Sequence, residues 1–217
     1  FMFNSMIIQT FTFNGFQENT SVVYSGKDAV IVDPGCYERF EQQALLDFIQ
    51  SNELKVHAIL NTHCHLDHVL GNAFCVDQFQ VNLITHKEEL FTLSLAERSA
   101  QMYGFPAFVN SPEPTVFVED NQIIRFGELE FKIIFAPGHS IGHIAFYNEA
   151  NAVLIGGDIL FKGSFGRTDL PGGSMEVLKK SIHERMFTLP ENTIVYPGHG
   201  PTTTIGEEKR SNYIWQF

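Results

Sequence analysis

The chain has 217 residues, a length that suits one α/β domain able to bury most of its apolar surface. Hydrophobic residues make up 44% and charged residues 18%, which excludes an intrinsically disordered chain. The formal net charge of −11 argues against nucleic acid as a partner, because phosphate binding requires clustered Lys and Arg. We therefore expect one globular domain over residues 1–217.

The cysteines and the apolar segments predict where the protein works. Cys36, Cys64 and Cys75 cannot all pair within the chain, which favours a reducing compartment. The N-terminal residues lack a positive n-region with a small-residue cleavage site, and no apolar run has the length of a membrane span. We expect a cytoplasmic protein that does not bind membranes, while its oligomeric state stays open.

The first half of the chain alternates β-rich runs with segments of helical periodicity. Strands are predicted at 6–13, 20–24, 28–33, 55–61 and 81–85. Helices are predicted at 38–50, 69–79 and 87–102. After the first hairpin, this order forms β-α-β-α units.

The second half repeats this plan. Strands are predicted at 122–135, 143–148, 152–158 and 193–196. A helix follows at about 174–188, and Thr204 with Glu207 three residues later predicts the capped start of a short helix. Two such halves predict two sheets packed face to face with helices outside, an α/β protein with an αββα four-layer sandwich.

A histidine-rich segment follows the strand predicted at 55–61. In Thr-His-Cys-His-Leu-Asp-His at 62–68, His63 and His65 alternate, so that both imidazoles point the same way and can bind one ion. Asp67 and His68 lie on a different side of the following turn, where they can bind a second ion. The spacing therefore indicates a site for two metal ions.

Three later segments supply further ligands of the same kind. Each consists of a strand, a turn of small residues and a side chain that commonly binds metals; these side chains are His139, Asp158 and His199. Loops after strands can direct such side chains into a shared cleft without disturbing the core. The order and spacing of the four segments make this the strongest functional signal in the sequence.

These residues resemble the metallo-β-lactamase superfamily, and within it the compact glyoxalase II-like hydrolases. The resemblance extends from Asn19 to Asn212 and also rests on the segments 32–35, 161–173 and 197–209. It implies that one metal binds to His63, His65 and His139, a second to Asp67, His68 and His199, and that Asp158 bridges both. Asp33 resembles an aspartate of the family that orients a ligating imidazole.

The types of the candidate ligands do not determine the identity of the metal. Imidazole and carboxylate favour Zn²⁺ but also accept Fe or Mn. Two divalent ions about 3.5–4 Å apart would share a hydroxide that attacks the substrate carbonyl. Asp67 would act as the catalytic residue that orients this hydroxide and accepts its proton. The remaining histidines, His57, His86, His143 and His183, are interpreted as structural.

The resemblance implies a thioesterase whose partner is a small acyl thioester such as S-(2-hydroxyacyl)glutathione. A thiolate, with a thiol pKa near about 8.5, leaves without strong acid assistance. However, only 18 residues follow His199, whereas full-length glyoxalase II enzymes carry a helical extension that helps bind glutathione. The physiological acyl group and thiol carrier therefore stay open.

One alternative comes from the same ligands. The superfamily's persulfide dioxygenases use a single iron, which here would sit on His63, His139 and Asp158 as the two-histidine, one-carboxylate set of non-haem oxygenases. Two neighbouring features also permit more than one interpretation. Arg167 either contacts an anionic substrate or fixes its own loop, and the aromatic residues of 91–118 form either a cavity wall or core.

Overall fold

The computed structural model describes residues 5–217. Residues 1–4 lie outside the described residues. They belong to the predicted domain 1–217 and to the N-terminal segment in which no export signal is expected. The first sheet contains, in spatial order, β1 (Ile7–Phe13), β2 (Glu18–Ser25), β3 (Asp28–Val32), β4 (Lys55–Leu60), β5 (Asn82–Thr85) and β6 (Val116–Phe117). The second contains β7 (Ile123–Phe126), β8 (Leu129–Phe135), β9 (Ile144–Asn148), β10 (Val153–Gly157), β11 (Ile194–Pro197) and β12 (Thr203–Thr204), also in that order.

Helices pack on the outer faces of the two sheets and also against one another. They are α1 (Arg39–Ser51), α2 (Leu66–Val69), α3 (Asn72–Phe79), α4 (Glu89–Ser94), α5 (Ala96–Tyr103), α6 (Met175–Ser181) and α7 (Ile205–Ser211). A π-helical turn over Ile182–Met186 continues α6, and a 3-10 helix spans Tyr213–Gln216. Within residues 5–217, no helix combines the length and apolar character needed to cross a membrane.

Alternating side chains explain the layers. On β3, Val30 and Val32 face the core between the sheets, whereas Ile31 points to the outer face beneath α1 and α3. On β9, Phe146 faces the same central core and Ala145 faces the helices around α6. Since each sheet has an apolar residue on both faces, it must be covered on both sides. The predicted αββα sandwich is confirmed.

Two predicted elements are each divided in the structure, and the short strands β6 and β12 were not predicted. The helix predicted at 87–102 is two helices, because the amide of Leu95 bonds to the carbonyl of Thr92, three residues back, and interrupts the α-helical pattern. The strand predicted at 122–135 is a hairpin of β7 and β8, because Gly127 adopts a φ of 58° in the turn between them. The Thr204 cap is present, with its hydroxyl accepting from the Glu207 amide at 3.1 Å.

Strand direction brings the loops of the predicted ligands together. β3 and β4 run parallel in the first sheet, and β8, β10 and β11 share one direction in the second. The amide of Ile144, at the start of β9, donates to the carbonyl of Thr62, in the loop after β4, at 2.9 Å. Loops after these strands therefore meet at one edge of the sandwich.

Candidate metal centre

All seven predicted ligands lie together at this edge. They follow the carboxyl ends of four strands: β4 precedes the segment 62–68, β8 precedes His139, β10 precedes Asp158 and β11 precedes His199. Their nitrogen and carboxylate oxygen atoms form two neighbouring triads with one carboxylate between them. The strands hold the starting points of these loops next to one another. Ligands up to 136 residues apart in the sequence are therefore neighbours in the structure.

The first triad consists of three imidazoles. The Nε2 atom of His139 lies 2.9 Å from Nδ1 of His65 and 3.2 Å from Nε2 of His63. His63 and His139 are buried, and His65 is half-buried and lines the cavity. Three ring nitrogens that converge this closely can share one bound cation, which tetrahedral metal sites hold with such ligands.

The second triad combines two imidazoles with a carboxylate. Asp67 Oδ2 lies 3.0 Å from Nε2 of His199 and 3.4 Å from Nε2 of His68. His68 is completely buried, whereas His199 and Asp67 are half-buried at the cavity. A carboxylate beside two imidazoles is a donor set that divalent ions of the first transition row accept.

Asp158 lies between the triads and faces both. Its Oδ2 is 3.5 Å from Nε2 of His139 and 3.5 Å from Nε2 of His199. Its Oδ1 is 3.5 Å from Nε2 of His68. This carboxylate therefore has an oxygen within reach of both groups, as a bridging ligand requires.

Hydrogen bonds at the far ring nitrogens fix the tautomers. His68 Nδ1 donates to Asp33 Oδ2 at 3.1 Å, and His139 Nδ1 donates to the Arg167 carbonyl at 2.7 Å. His63 Nδ1 donates to the Thr62 hydroxyl at 3.0 Å, because that hydroxyl is itself committed to donating to Asp33. In each ring the proton sits on Nδ1, which leaves the Nε2 lone pair free for a metal.

Two orphaned atoms show that the site fits metal ions. His68 Nε2 and Asp158 Oδ1 are buried and have no hydrogen-bond partner among residues 5–217. Buried polar atoms without a partner are costly, so these two require something that the side chains themselves do not provide. A divalent ion in each triad would satisfy both atoms.

The pKa shifts divide the site by charge. Burial and the neighbouring histidines lower the pKa of His63 well below its usual value, and burial lowers the pKa of His65 to about 3. Burial alone would lower the pKa of His68, but the carboxylates of Asp67 and Asp158 outweigh it and raise the pKa. The imidazoles of the first triad are thus neutral nitrogen ligands. Asp67 and Asp158 supply negative charge beside the second triad.

Glycine keeps the centre open at two points. A Cβ atom on Gly198 would lie 2.1 Å from Asp158 Oδ1 and 2.7 Å from Cε1 of His68. A Cβ atom on Gly166 would lie 2.0 Å from the Asp158 carbonyl oxygen and 2.8 Å from Nδ1 of His139. Any larger residue at either position would displace predicted ligands, which explains the small residues in these loops.

A cavity of about 680 Å³ opens directly onto the two triads. Its floor includes His65, Asp67, His139, Asp158 and His199. Its walls are mainly apolar and come from the β1–β2 turn, from α4 and α5, and from residues 161–171: Phe16, Leu95, Met102, Tyr103, Phe161, Phe165 and Leu170. The volume is that of a typical small-molecule site.

Arg167 and the aromatic residues of 91–118 each permitted two interpretations from the sequence, and the structure shows where their side chains lie. Arg167 lines the cavity, yet its guanidinium forms two hydrogen bonds, of 2.6 and 2.8 Å, with the exposed Asp169 carboxylate. Tyr103 forms part of the wall, whereas Phe105 stacks on Phe16 at 5.5 Å and Phe108 packs against buried residues of α2. The segment 91–118 is therefore partly wall and partly core.

The remaining histidines lie outside the triads. His57 contacts Asp28 at 2.6 Å, His86 lies against Phe135, and His183 lies against Trp215. His143 is buried beside the centre, where its Nε2 accepts from the Asp158 amide at 3.0 Å. That contact commits its Nε2 atom to a backbone amide.

Two buried glutamates belong to the site but were missed by the sequence analysis. Glu18 is fully buried, accepts from the Thr20 hydroxyl at 2.9 Å and has its Oε1 3.9 Å from Nδ1 of His68. Burial raises the pKa of Glu18 well above its usual value. Glu89 bonds to two of the ligand loops. A signal existed for Glu89, since it follows β5 as the ligands follow their strands, but Glu18 begins a strand and has none.

A family model and a curated protein both match this chain over most of its length. The model of the "Metallo-beta-lactamase superfamily" matches residues 13–199. The hydroxyacylglutathione hydrolase GloC of Haemophilus influenzae is 34% identical over 209 residues, which cover 95% of this chain and 97% of that protein.

Solved structures show the same architecture. The B3 metallo-beta-lactamase BLEG-1 superposes with a TM-score of 0.88 at 35% identity, covering 97% of this chain and all of that one. TTHA1623 in a di-iron-bound form gives a TM-score of 0.85 at 38% identity, covering 94% and 98% of the two chains. ETHE1 from Myxococcus xanthus gives 0.77 at 25% identity, covering 95% and 83%.

Proposed function

The chain belongs to the metallo-β-lactamase superfamily of metal-dependent hydrolases, and we propose that it hydrolyses small thiol esters of the S-(2-hydroxyacyl)glutathione type with two bound metal ions. The observation that carries this proposal is the pair of triads joined by Asp158 at the floor of an open cavity. The similarity to a hydroxyacylglutathione hydrolase supports the substrate class.

The proposed metal ligands are those predicted from the sequence. His63, His65 and His139 would hold one ion and Asp67, His68 and His199 the other, with Asp158 placed between the two groups. Bound divalent ions supply a nucleophilic hydroxide at neutral pH and polarise the substrate carbonyl. Their identity is proposed as Zn²⁺, with Fe or Mn as the other candidates, because the donors are imidazoles and carboxylates.

The chain's own residues position the reaction. Asp67 lines the cavity and lies 3.0 Å from His199, so its carboxylate is placed to orient the attacking water and to accept its proton. A thiolate departs without protonation by a general acid, since the pKa of a thiol is about 8.5. A thiol ester therefore needs no general acid for cleavage, whereas an amide does, which supports thiol esters as substrates.

The cavity also has a cation suited to an anionic carrier. Arg98 of α5 lines the wall and has no ion-pair or hydrogen-bond partner among residues 5–217, whereas Arg167 is already bound to Asp169. In a chain of net charge −11, an unpaired cation at the cavity attracts a carboxylate such as those of glutathione. We therefore propose Arg98 as a docking residue for the thiol carrier.

Replacing Arg98 with alanine is expected to raise KM for S-D-lactoylglutathione about tenfold with little change in kcat, because a charged hydrogen bond distant from the reacting carbonyl is lost. Steady-state kinetics measure this effect. The neutral N-acetylcysteamine thioester should show no change. Arg39→Ala, an exposed arginine on α1, is the matched control; equal KM values for wild type and Arg98→Ala would contradict the docking role.

A mononuclear iron oxygenase is the second candidate. It is favoured by the contact of His139 with both His63 and Asp158, which together form a two-histidine, one-carboxylate set. The second triad argues for two ions, since its His68 Nε2 is buried without a partner among the described residues. The number of bound ions discriminates between the two functions.

The test is elemental analysis of protein purified without added metal, combined with hydrolysis of S-D-lactoylglutathione. We expect about two ions per chain and turnover of the thioester. One iron per chain without turnover would support the oxygenase. Two ions without turnover would leave a metal-dependent hydrolase with another substrate, and a penicillin assayed in parallel would test for the β-lactamase activity after which BLEG-1 is named.

The proposal includes a reducing, cytoplasmic location. Cys36, Cys64 and Cys75 are all buried free thiols, which suits a compartment where disulfides do not form.

A further inference from the structure

The first triad is assembled from two loops of different sheets. His63 and His65 lie on the loop after β4 of the first sheet, and His139 lies on the loop between β8 and β9 of the second. His139 Nε2 lies 2.9 Å from the His65 nitrogen and 3.2 Å from the His63 nitrogen only while the two loops keep a fixed separation. A group that bonds to both loops at once would therefore control the geometry of this triad.

Glu89, at the start of α4, bonds to both loops. Its Oε2 accepts from the backbone amide of Cys64, between His63 and His65, at 2.7 Å. Its Oε1 accepts from the hydroxyl of Ser140 at 2.6 Å and from the amide of Gly142 at 2.8 Å. All three distances lie in the range of strong charge-assisted hydrogen bonds.

The surroundings make this link rigid. The Glu89 side chain is fully buried, so water does not compete for its bonds. A Cβ atom on Gly142 would lie 2.7 Å from the Glu89 amide nitrogen, which shows how tightly the His139 loop packs against α4. An ionised carboxylate accepts several bonds on two oxygens, a pattern that an amide side chain cannot reproduce.

We propose that Glu89 is a positioning residue that sets the geometry of the first metal triad by holding its two loops together. This inference rests on the proposed dinuclear metal centre but not on the proposed substrate. The second triad has separate supports: Asp33 bonds to His68, and the Asn19 amide donates to the Gly198 carbonyl at 2.7 Å. Loss of Glu89 should therefore affect one ion and spare the other.

The test is zinc binding by the Glu89→Gln variant. The glutamine amide group must face either Cys64 or the Ser140 and Gly142 donors, so one loop is released. Titration of metal-free protein with Zn²⁺ against a chromophoric chelator should show one of the two ions bound about 10–100-fold more weakly. In a His199→Ala background, where only the first triad is complete, the remaining ion should weaken by the same factor.

Glu208→Gln is the matched control. Glu208 is also buried and accepts three bonds, from Gly163, Thr203 and Asn212, but touches neither ligand loop. It should bind both ions as the wild type does. If Glu89→Gln does not fold, Ser140→Ala removes a single bond and should weaken one ion about fivefold.

Two results would overturn the inference. The first is wild-type affinity for both ions in Glu89→Gln and Ser140→Ala. The second is equal weakening of both ions, which would indicate a general loss of structure. Because zinc binding is the readout, a wild type that binds two ions without cleaving the thioester would discard only the substrate. A wild type that binds none of Zn²⁺, Fe²⁺ and Mn²⁺ would discard the metal centre and this inference together.

Discussion

Removal of both metal ions by a chelator is expected to lower thioester hydrolysis by about 10⁴-fold or more, and Zn²⁺ is expected to restore it. The reason lies in the composition of the cavity floor, where the side chains that face the substrate are the proposed metal ligands themselves. Without ions, these residues leave buried atoms such as His68 Nε2 and Asp158 Oδ1 without partners and provide no strong nucleophile.

The measurement is the initial rate of S-D-lactoylglutathione hydrolysis before chelation, after chelation and after addition of each candidate metal. Near-ultraviolet circular dichroism of the chelated protein controls for loss of tertiary structure. Recovery with Zn²⁺, Fe²⁺ or Mn²⁺ would rank the metals that the donor set permits. Full activity in folded protein that contains no metal would refute the metal-dependent mechanism.

Replacing Asp158 with alanine is expected to produce the largest effect of any single substitution, a fall in kcat of about 10³-fold. Asp158 has an oxygen near each triad, so its loss weakens both ions at once. Asp67→Ala removes a carboxylate from the second triad alone and should leave one ion bound. The two variants therefore differ in the number of ions they retain as well as in their rates.

The rise in melting temperature on addition of Zn²⁺ separates these cases from simple misfolding. A ligand that binds only the folded state stabilises it by an amount that grows with its affinity. The rise should be lost in Asp158→Ala and reduced in Asp67→Ala, while Asp47→Ala, an exposed aspartate on α1, keeps it in full. An unchanged rise in Asp158→Ala would show that this carboxylate does not contact the ions.

Local sequence patterns were sufficient for the layers of the fold and for singling out the candidate ligands, whereas the division of these ligands into two triads was implied by the family resemblance. Residues such as Val30, Ile31 and Val32 place apolar groups on both faces of a strand, so each sheet must be covered on both sides. His63 and His65 stand out because they are closely spaced after a predicted strand, although β4 ends at Leu60 and both lie in the loop that follows it. The residues His139, Asp158 and His199 stand out because a small-residue turn after a strand is also a local feature.

Contacts between distant loops were decided only by the tertiary structure. Two local features, the helix break at Leu95 and the hairpin turn at Gly127, also escaped the prediction, because apolar periodicity does not encode their hydrogen bonds and dihedral angles. Glu89 instead makes distant contacts, since its partners Cys64 and Ser140 lie 25 and 51 residues away along the chain. A buried carboxylate is stable only where its donors converge, and that convergence arises only when the two sheets have packed together.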